Sequence, residues 1–257
     1  MSVGIALVLS PAYRASAASG SDAAAPLLAK MDALWEQRDG HDVMRDLMAL
    51  GAQAEAGEPN YEVEWRLARA AFWVAYGQSN RVTKKALAGN AADWADKARR
   101  LRPARVEGHY FYAIAIGAYG DCIGVMQAVV EGIAGRFETA ALRAYEIDRD
   151  FEFGAPITVL GRYYYMLPWP KRDLRRSRQY LEEAVARHPR ALIAQVYLAD
   201  TYYALDERDQ ARAALEFALV TPPEPGSERN QPPPKPLARA ALKRWFPDAM
   251  VAGDSQH

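Results

Sequence analysis

The sequence predicts an all-α chain built from tandem helical hairpins, and three observations predict it. Apolar residues recur at helical spacing, and no alternating strand pattern appears. Glycine and proline fall mainly between those runs. Residues 154–223 carry one plan twice. Aligned on Leu160-Gly161-x-x-Tyr164 and Leu198-Ala199-x-x-Tyr202, each half runs on to a second helix ending in Ala-x-x-x-x-Pro, at Ala184–Pro189 and Ala218–Pro223. The two alanines stand 34 residues apart, as do the two prolines, which is the period of a tetratricopeptide helix-turn-helix repeat. The expected fold is therefore a set of tetratricopeptide-like hairpin repeats forming a short superhelical solenoid.

The pattern has a packing logic. Gly161, Ala199, Ala211 and Ala218 stand where two helices cross, and a larger side chain would push them apart. Leu160, Tyr164, Leu181, Leu198, Tyr202 and Leu215 fill the space between helices. A proline ends each second helix, because its ring cannot donate and clashes with the preceding turn. The first repeat is longer, and its extra residues fall in the turn Pro168 to Asp173.

Taken in order, residues 1–25 read as a signal peptide or disordered leader. Val3 to Leu9 is a short apolar run, and Ala15-Ser16-Ala17 offers a small-x-small cleavage site. The run is too short for a membrane span, and no Lys or Arg precedes it. Export to the periplasm is the expectation, with a cytoplasmic chain as the alternative. The repeat domain is expected over 26–222: an N-terminal helical pair, then hairpins near 60–103, 104–150, 155–189 and 191–222. Asn60 is a suitable N-cap for the helix that follows it. Residues 123–147 read as one long helical stretch in which Gly124, Gly132 and Gly135 mark kinks or close packing. Residues 223–236 form a proline-rich linker, stiff and extended. Residues 237–247 form a C-terminal helix that caps the solenoid or docks to a partner, and 248–257 form a frayed tail.

Composition narrows the function. Half of the 257 residues are hydrophobic and a quarter are charged, an ordinary balance for a globular chain. Lys and Arg number 32 and Asp and Glu 32, so no net field gathers nucleic acid. The single cysteine, Cys122, excludes an internal disulfide and a cysteine-rich metal site. No phosphate loop, nucleophile elbow, His-Glu-x-x-His or dinucleotide fingerprint occurs. His41, His109, His188 and His257 are scattered. Asp148-x-Asp150-x-Glu152-x-Gly154 departs from a calcium loop, with its glycine one residue late and Val159 where a bidentate Glu is needed. The expectation is a non-catalytic chain with no cofactor and no metal.

What remains is a surface. In such repeats the first helix of each pair lines a concave groove. The positions three before, one after and four after Ala68, Gly161 and Ala199 are Trp65, Arg69 and Phe72; Thr158, Arg162 and Tyr165; and Val196, Asp200 and Tyr203. Tyr110 joins them with a looser register. Aromatic residues mixed with arginine are the composition of recognition surfaces, although aromatic spacing of four is also core spacing.

Two resemblances follow from motifs. Gly108-His109-Tyr110-Phe111-Tyr112, Ala115-Ile116-Gly117-Ala118, Gly132, the run from Phe151 to Pro170, and Tyr197-Leu198-Ala199 make residues 60–220 similar to the T-component of tripartite ATP-independent periplasmic (TRAP) transporters. That resemblance implies an exported helical-repeat protein associated with a periplasmic solute-binding subunit. The chain departs from it at Lys171-Arg172-Asp173, where a Gly-Asp pair is usual, and has no lipid-anchored cysteine. Trp65-Arg66-Leu67-Ala68-Arg69-Ala70 and Leu160-Gly161-Arg162-Tyr163-Tyr164-Tyr165 resemble the regulators of microtubule dynamics. The expected leader weighs against a cytoskeletal role. Two functions are expected on these grounds. The first is a scaffold that binds a protein partner, with a transporter subunit as one candidate and self-association left open. The second is a carrier that holds a small organic acid or apolar ligand in the groove.

Overall fold

The computed structural model describes residues 11–38, 41–55, 59–227 and 233–247. Among these residues every regular element is a helix. In order they are α1 (Pro11–Glu36), α2 (His41–Glu55), α3 (Tyr61–Tyr76), α4 (Arg81–Leu101), α5 (Val106–Ile123), α6 (Val125–Val130), α7 (Ile133–Ile147), α8 (Phe151–Met166), α9 (Leu174–Arg187), α10 (Leu192–Ala204), α11 (Arg208–Val220) and α12 (Pro234–Trp245).

Local chemistry sets many of the boundaries. The Asn60 side chain accepts from the amide of Glu62 at 2.9 Å, and Asn80 accepts from the amides of Val82 and Thr83. Asp173 does the same for Arg176 at the start of α9. Each bond satisfies an amide that the first turn leaves without a partner. Helices α4, α9 and α11 stop just before Pro103, Pro189 and Pro223, as the repeat pattern requires.

The helices pack in hairpins. α3 pairs with α4, α5 with α7, α8 with α9, and α10 with α11. First helices touch along an inner layer: α1 meets α3, α3 meets α5, α5 meets α8, and α8 meets α10. The crossings are tight. A Cβ on Gly161 would stand 2.4 Å from the Leu181 side chain, and one on Gly108 would stand 2.5 Å from the Arg99 backbone nitrogen. Ala68, Ala199, Ala211 and Ala218 are fully buried, in line with their crossing roles.

The structure departs from expectation in three places. The stretch 123–147 is not one helix. Gly124 (φ 85°) and Gly132 (φ 64°) break it, leaving the six-residue α6 between α5 and α7. Helix α1 starts at Pro11, inside the segment read as a leader, while the apolar run Val3 to Leu9 lies outside the described residues. The C-terminal helix starts at Pro234, inside the expected linker, because a proline in the first turn loses no hydrogen bond there. It packs on α10 and α11, and Trp245 stacks on Tyr203 with ring centres 4.2 Å apart.

Backbone strain is concentrated at the start of α8. Glu152, Phe153 and Gly154 all have positive φ, at 48°, 59° and 77°. For the two non-glycine residues this costs of order 1–3 kcal/mol each. The consequence is that Glu152 is carried toward the inner layer beside α3 and α5.

Candidate functional site

The inner layer gathers aromatic residues and arginines, most densely where α1, α3, α5 and α8 meet. Trp35 and Trp73 meet edge to face at 5.9 Å. Trp65 stacks on Phe111 at 6.2 Å, and its Nε1 donates to Glu62 at 2.9 Å. Tyr110 and Phe151 meet at 5.4 Å. A cavity of about 50 Å³ remains between these groups, lined by Trp35, Arg69, Phe72, Trp73, Tyr110, Phe111, Ile114, Glu152 and Ala155.

Arg69 is the central charge. Its guanidinium lies 4.0 Å from the Trp35 ring centre and 4.8 Å from that of Trp65. Asp32 is the carboxylate in contact with it, and Glu152 adds a weaker attraction, but Arg66 holds Asp32 in a two-pronged pair, with both contacts at 2.8 Å. Arg69 reaches Asp32 only at 3.5 Å, and its buried Nε has no acceptor. Burial pushes the Arg69 guanidinium down to about 10, against the pull of Asp32. Hydrogen bonding from Arg66 holds Asp32 below the usual carboxylate range. Burial raises Tyr110, so its phenol stays protonated. Arg69 thus carries a charge in a poorly solvated place with its donors incompletely used, and such a group favours an added acceptor.

Arg162 occupies the same register position on α8 and is differently placed. Its Nη1 donates to Asp200 Oδ2 at 2.5 Å, and its guanidinium packs 4.4 Å from the Tyr197 ring centre and 4.9 Å from that of Tyr165. Arg172 covers Tyr165 at 4.4 Å. Burial raises the Asp200 carboxyl despite its arginine partner.

The predicted groove residues therefore separate into groups. Arg69, Phe72 and Tyr110 share the cavity, and Trp65 braces Arg69 from the side. Arg162, Tyr165 and Asp200 form a second cluster farther along the inner layer. Three positions leave the expected surface. Thr158 is 5% exposed and its hydroxyl donates to the Gly154 carbonyl at 3.0 Å, because the left-handed turn before it places it in the first buried turn of α8. Tyr203 lies under Trp245 and Phe246 of α12. Val196, also assigned to the groove by register, is 3% exposed.

Sequence reasoning missed Asp32, Trp35, Trp73, Tyr197 and Glu152. Trp35 sits in an apolar run that gave no inner-face register. Tyr197 adjoins the crossing pair Leu198-Ala199 and could have been found by widening the register. Glu152 stands in the calcium-like pattern but had no signal for the inner layer, since its position depends on three consecutive left-handed residues. Asp150, weighed as part of a calcium-like loop, instead accepts from Arg187 and lies 2.9 Å from His188 Nε2.

The fold and this layer of crossing helices define a tetratricopeptide-like helical-repeat protein. A thermophilic TPR protein of Thermus thermophilus has a similar solved structure, with a TM-score of 0.60 at 16% identity over 81% of this chain and 95% of that one. At that identity the likeness shows the fold alone. The family model described as Regulator of microtubule dynamics protein 1-3 matches residues 27–231, and the chain belongs to that family. It is the second of the two motif resemblances, and it is a different family from the TRAP transporter T-component. None of the curated proteins matches the sequence.

Proposed function

We propose that this protein is a protein-interaction scaffold whose concave face takes an extended segment of a partner, anchored by a carboxylate at Arg69. One observation carries the reading: the Arg69 Nε is buried without an acceptor beside an aromatic cavity, while the neighbouring carboxylate is held by Arg66. An incoming carboxylate would complete the donor set of Arg69, and the surrounding rings exclude water from the contact. Glu152 lines the same cavity and adds a weaker attraction to Arg69 than Asp32 does.

The cavity size favours a scaffold over a carrier. About 50 Å³ accommodates one functional group or a few waters, whereas sites that enclose a whole organic ligand run to about 300–1,000 Å³. Accessory service to a TRAP transporter rests on the motif resemblance alone, and export rests on the Val3–Leu9 run with Ala15-Ser16-Ala17.

A peptide array tests the reading. Each acidic peptide is paired with a copy carrying Asn for Asp and Gln for Glu, and the full chain is the probe. Binding should prefer acidic members and be lost with Arg69→Gln. Binding that ignores both changes would contradict it.

A further inference from the structure

Helix α6 carries an apolar face that the repeat architecture does not use. We propose that this face, with the basic start of α4 that is tied to the end of α5, is a peripheral docking edge for an anionic lipid surface, separate from the concave groove. Val125, Met126, Val129 and Val130 are 67%, 80%, 71% and 84% exposed. Their spacing puts all four on one side of the helix. Ala128, on another side, packs against the core, which fixes the apolar side outward. Gln127 donates to Glu131 at 2.8 Å and forms the polar flank.

The bracketing glycines show how the helix is held out. Gly124 and Gly132 have φ of 85° and 64°, and a Cβ on either would meet nothing within 4 Å. Glycine is therefore required there by the backbone turn and not by a close neighbour. A contiguous apolar face of this kind marks an interaction site.

The nearby charges select lipid. Arg81 Nε donates to the Cys122 carbonyl at 2.9 Å, which ties the start of α4 to the residues leading into α6. Lys85 Nζ lies 5.6 Å from the Tyr119 ring centre, and Lys84 interacts with Asp121 on the same edge. The acids on this edge are Asp121 and Glu131. Three long cations around the end of α5, the segment that leads into the apolar helix, suit a headgroup region, where apolar side chains enter the acyl boundary and Lys and Arg meet anionic headgroups. No helix among the described residues is long and apolar enough to cross a membrane.

Cosedimentation of the full chain with vesicles tests this. Vesicles of phosphatidylcholine mixed with phosphatidylglycerol should bind the protein, pure phosphatidylcholine should bind it far less, and added salt should weaken binding. Met126→Asp with Val129→Asp, and separately Lys84→Glu with Lys85→Glu, should each lower partition at least about tenfold. All four sites lie at the surface or beside it, so circular dichroism should be unchanged. Absence of binding to the mixed vesicles, or equal binding by both variants, would overturn the proposal. So would a dimer by light scattering that the Met126→Asp/Val129→Asp change converts to monomer, since the face would then belong to a second copy of the chain.

Discussion

Arg162 of α8 and Asp200 of α10 form an ion pair at 2.5 Å that ties two inner helices together. Arg69, at the equivalent position on α3, has only a 3.5 Å contact to a carboxylate already held by Arg66. One register position thus serves as a strut in one repeat and leaves a donor without an acceptor in another. The difference lies in what the neighbouring inner helix supplies, not in the arginine itself.

Arg162→Ala should lower stability by about 1–3 kcal/mol at neutral pH, because it leaves the Asp200 carboxylate buried without its partner. Burial already raises Asp200 above its usual value, and Arg162 opposes that rise. Removing the arginine raises it further. The folded variant then binds a proton more readily than the unfolded chain, so its stability falls as pH rises through the carboxylate range. The deficit should therefore shrink on acidification. Urea melts at neutral pH and at about pH 4 check this, and a deficit independent of pH would contradict it.

The repeat class and most crossing residues were legible because they follow a fixed period. Ala184 and Ala218 are fully buried in the second helices, where their spacing placed them. Register also brought Arg69, Phe72 and Tyr110 to one cavity. It failed at Thr158 and at the α6 break, where residues with positive φ interrupt the period. It could not foresee that Tyr203 is covered, because that depends on how a segment beyond the linker folds back. Nor could it distinguish Arg69 from Arg162, since their carboxylate partners come from other helices.

The glycines in helices should divide sharply. Gly108→Ala and Gly161→Ala should each cost about 1–3 kcal/mol by forcing neighbours apart. Gly108 should be the worse, because its new Cβ meets Arg99 backbone and not a movable side chain. Gly135→Ala should be neutral or stabilising by up to about 1 kcal/mol, since its Cβ meets nothing within 4 Å. Thermal melting of the three variants checks the order, and a Gly135→Ala loss comparable to the others would refute it.

Trp245→Ala should destabilise the C-terminal end by about 1–3 kcal/mol, through loss of the stacked contact with Tyr203 and of apolar cover over α10 and α11. Hydrogen exchange should quicken in α10 and α11 and leave α3 to α5 unchanged, because repeat proteins couple mainly to neighbours. Uniform quickening along the chain would contradict this.

The most direct test of the scaffold reading is photo-crosslinking in the native host. A photoreactive phenylalanine replaces Phe72 in the cavity wall, Tyr165 farther along the inner layer, or the exposed Gln179 on outer helix α9. The first two should capture a discrete protein and the third should not. Arg69→Gln should abolish capture at position 72 while the circular dichroism spectrum stays that of the folded chain. Capture at position 179 alone, or capture at 72 that survives Arg69→Gln, would contradict a concave face anchored at Arg69.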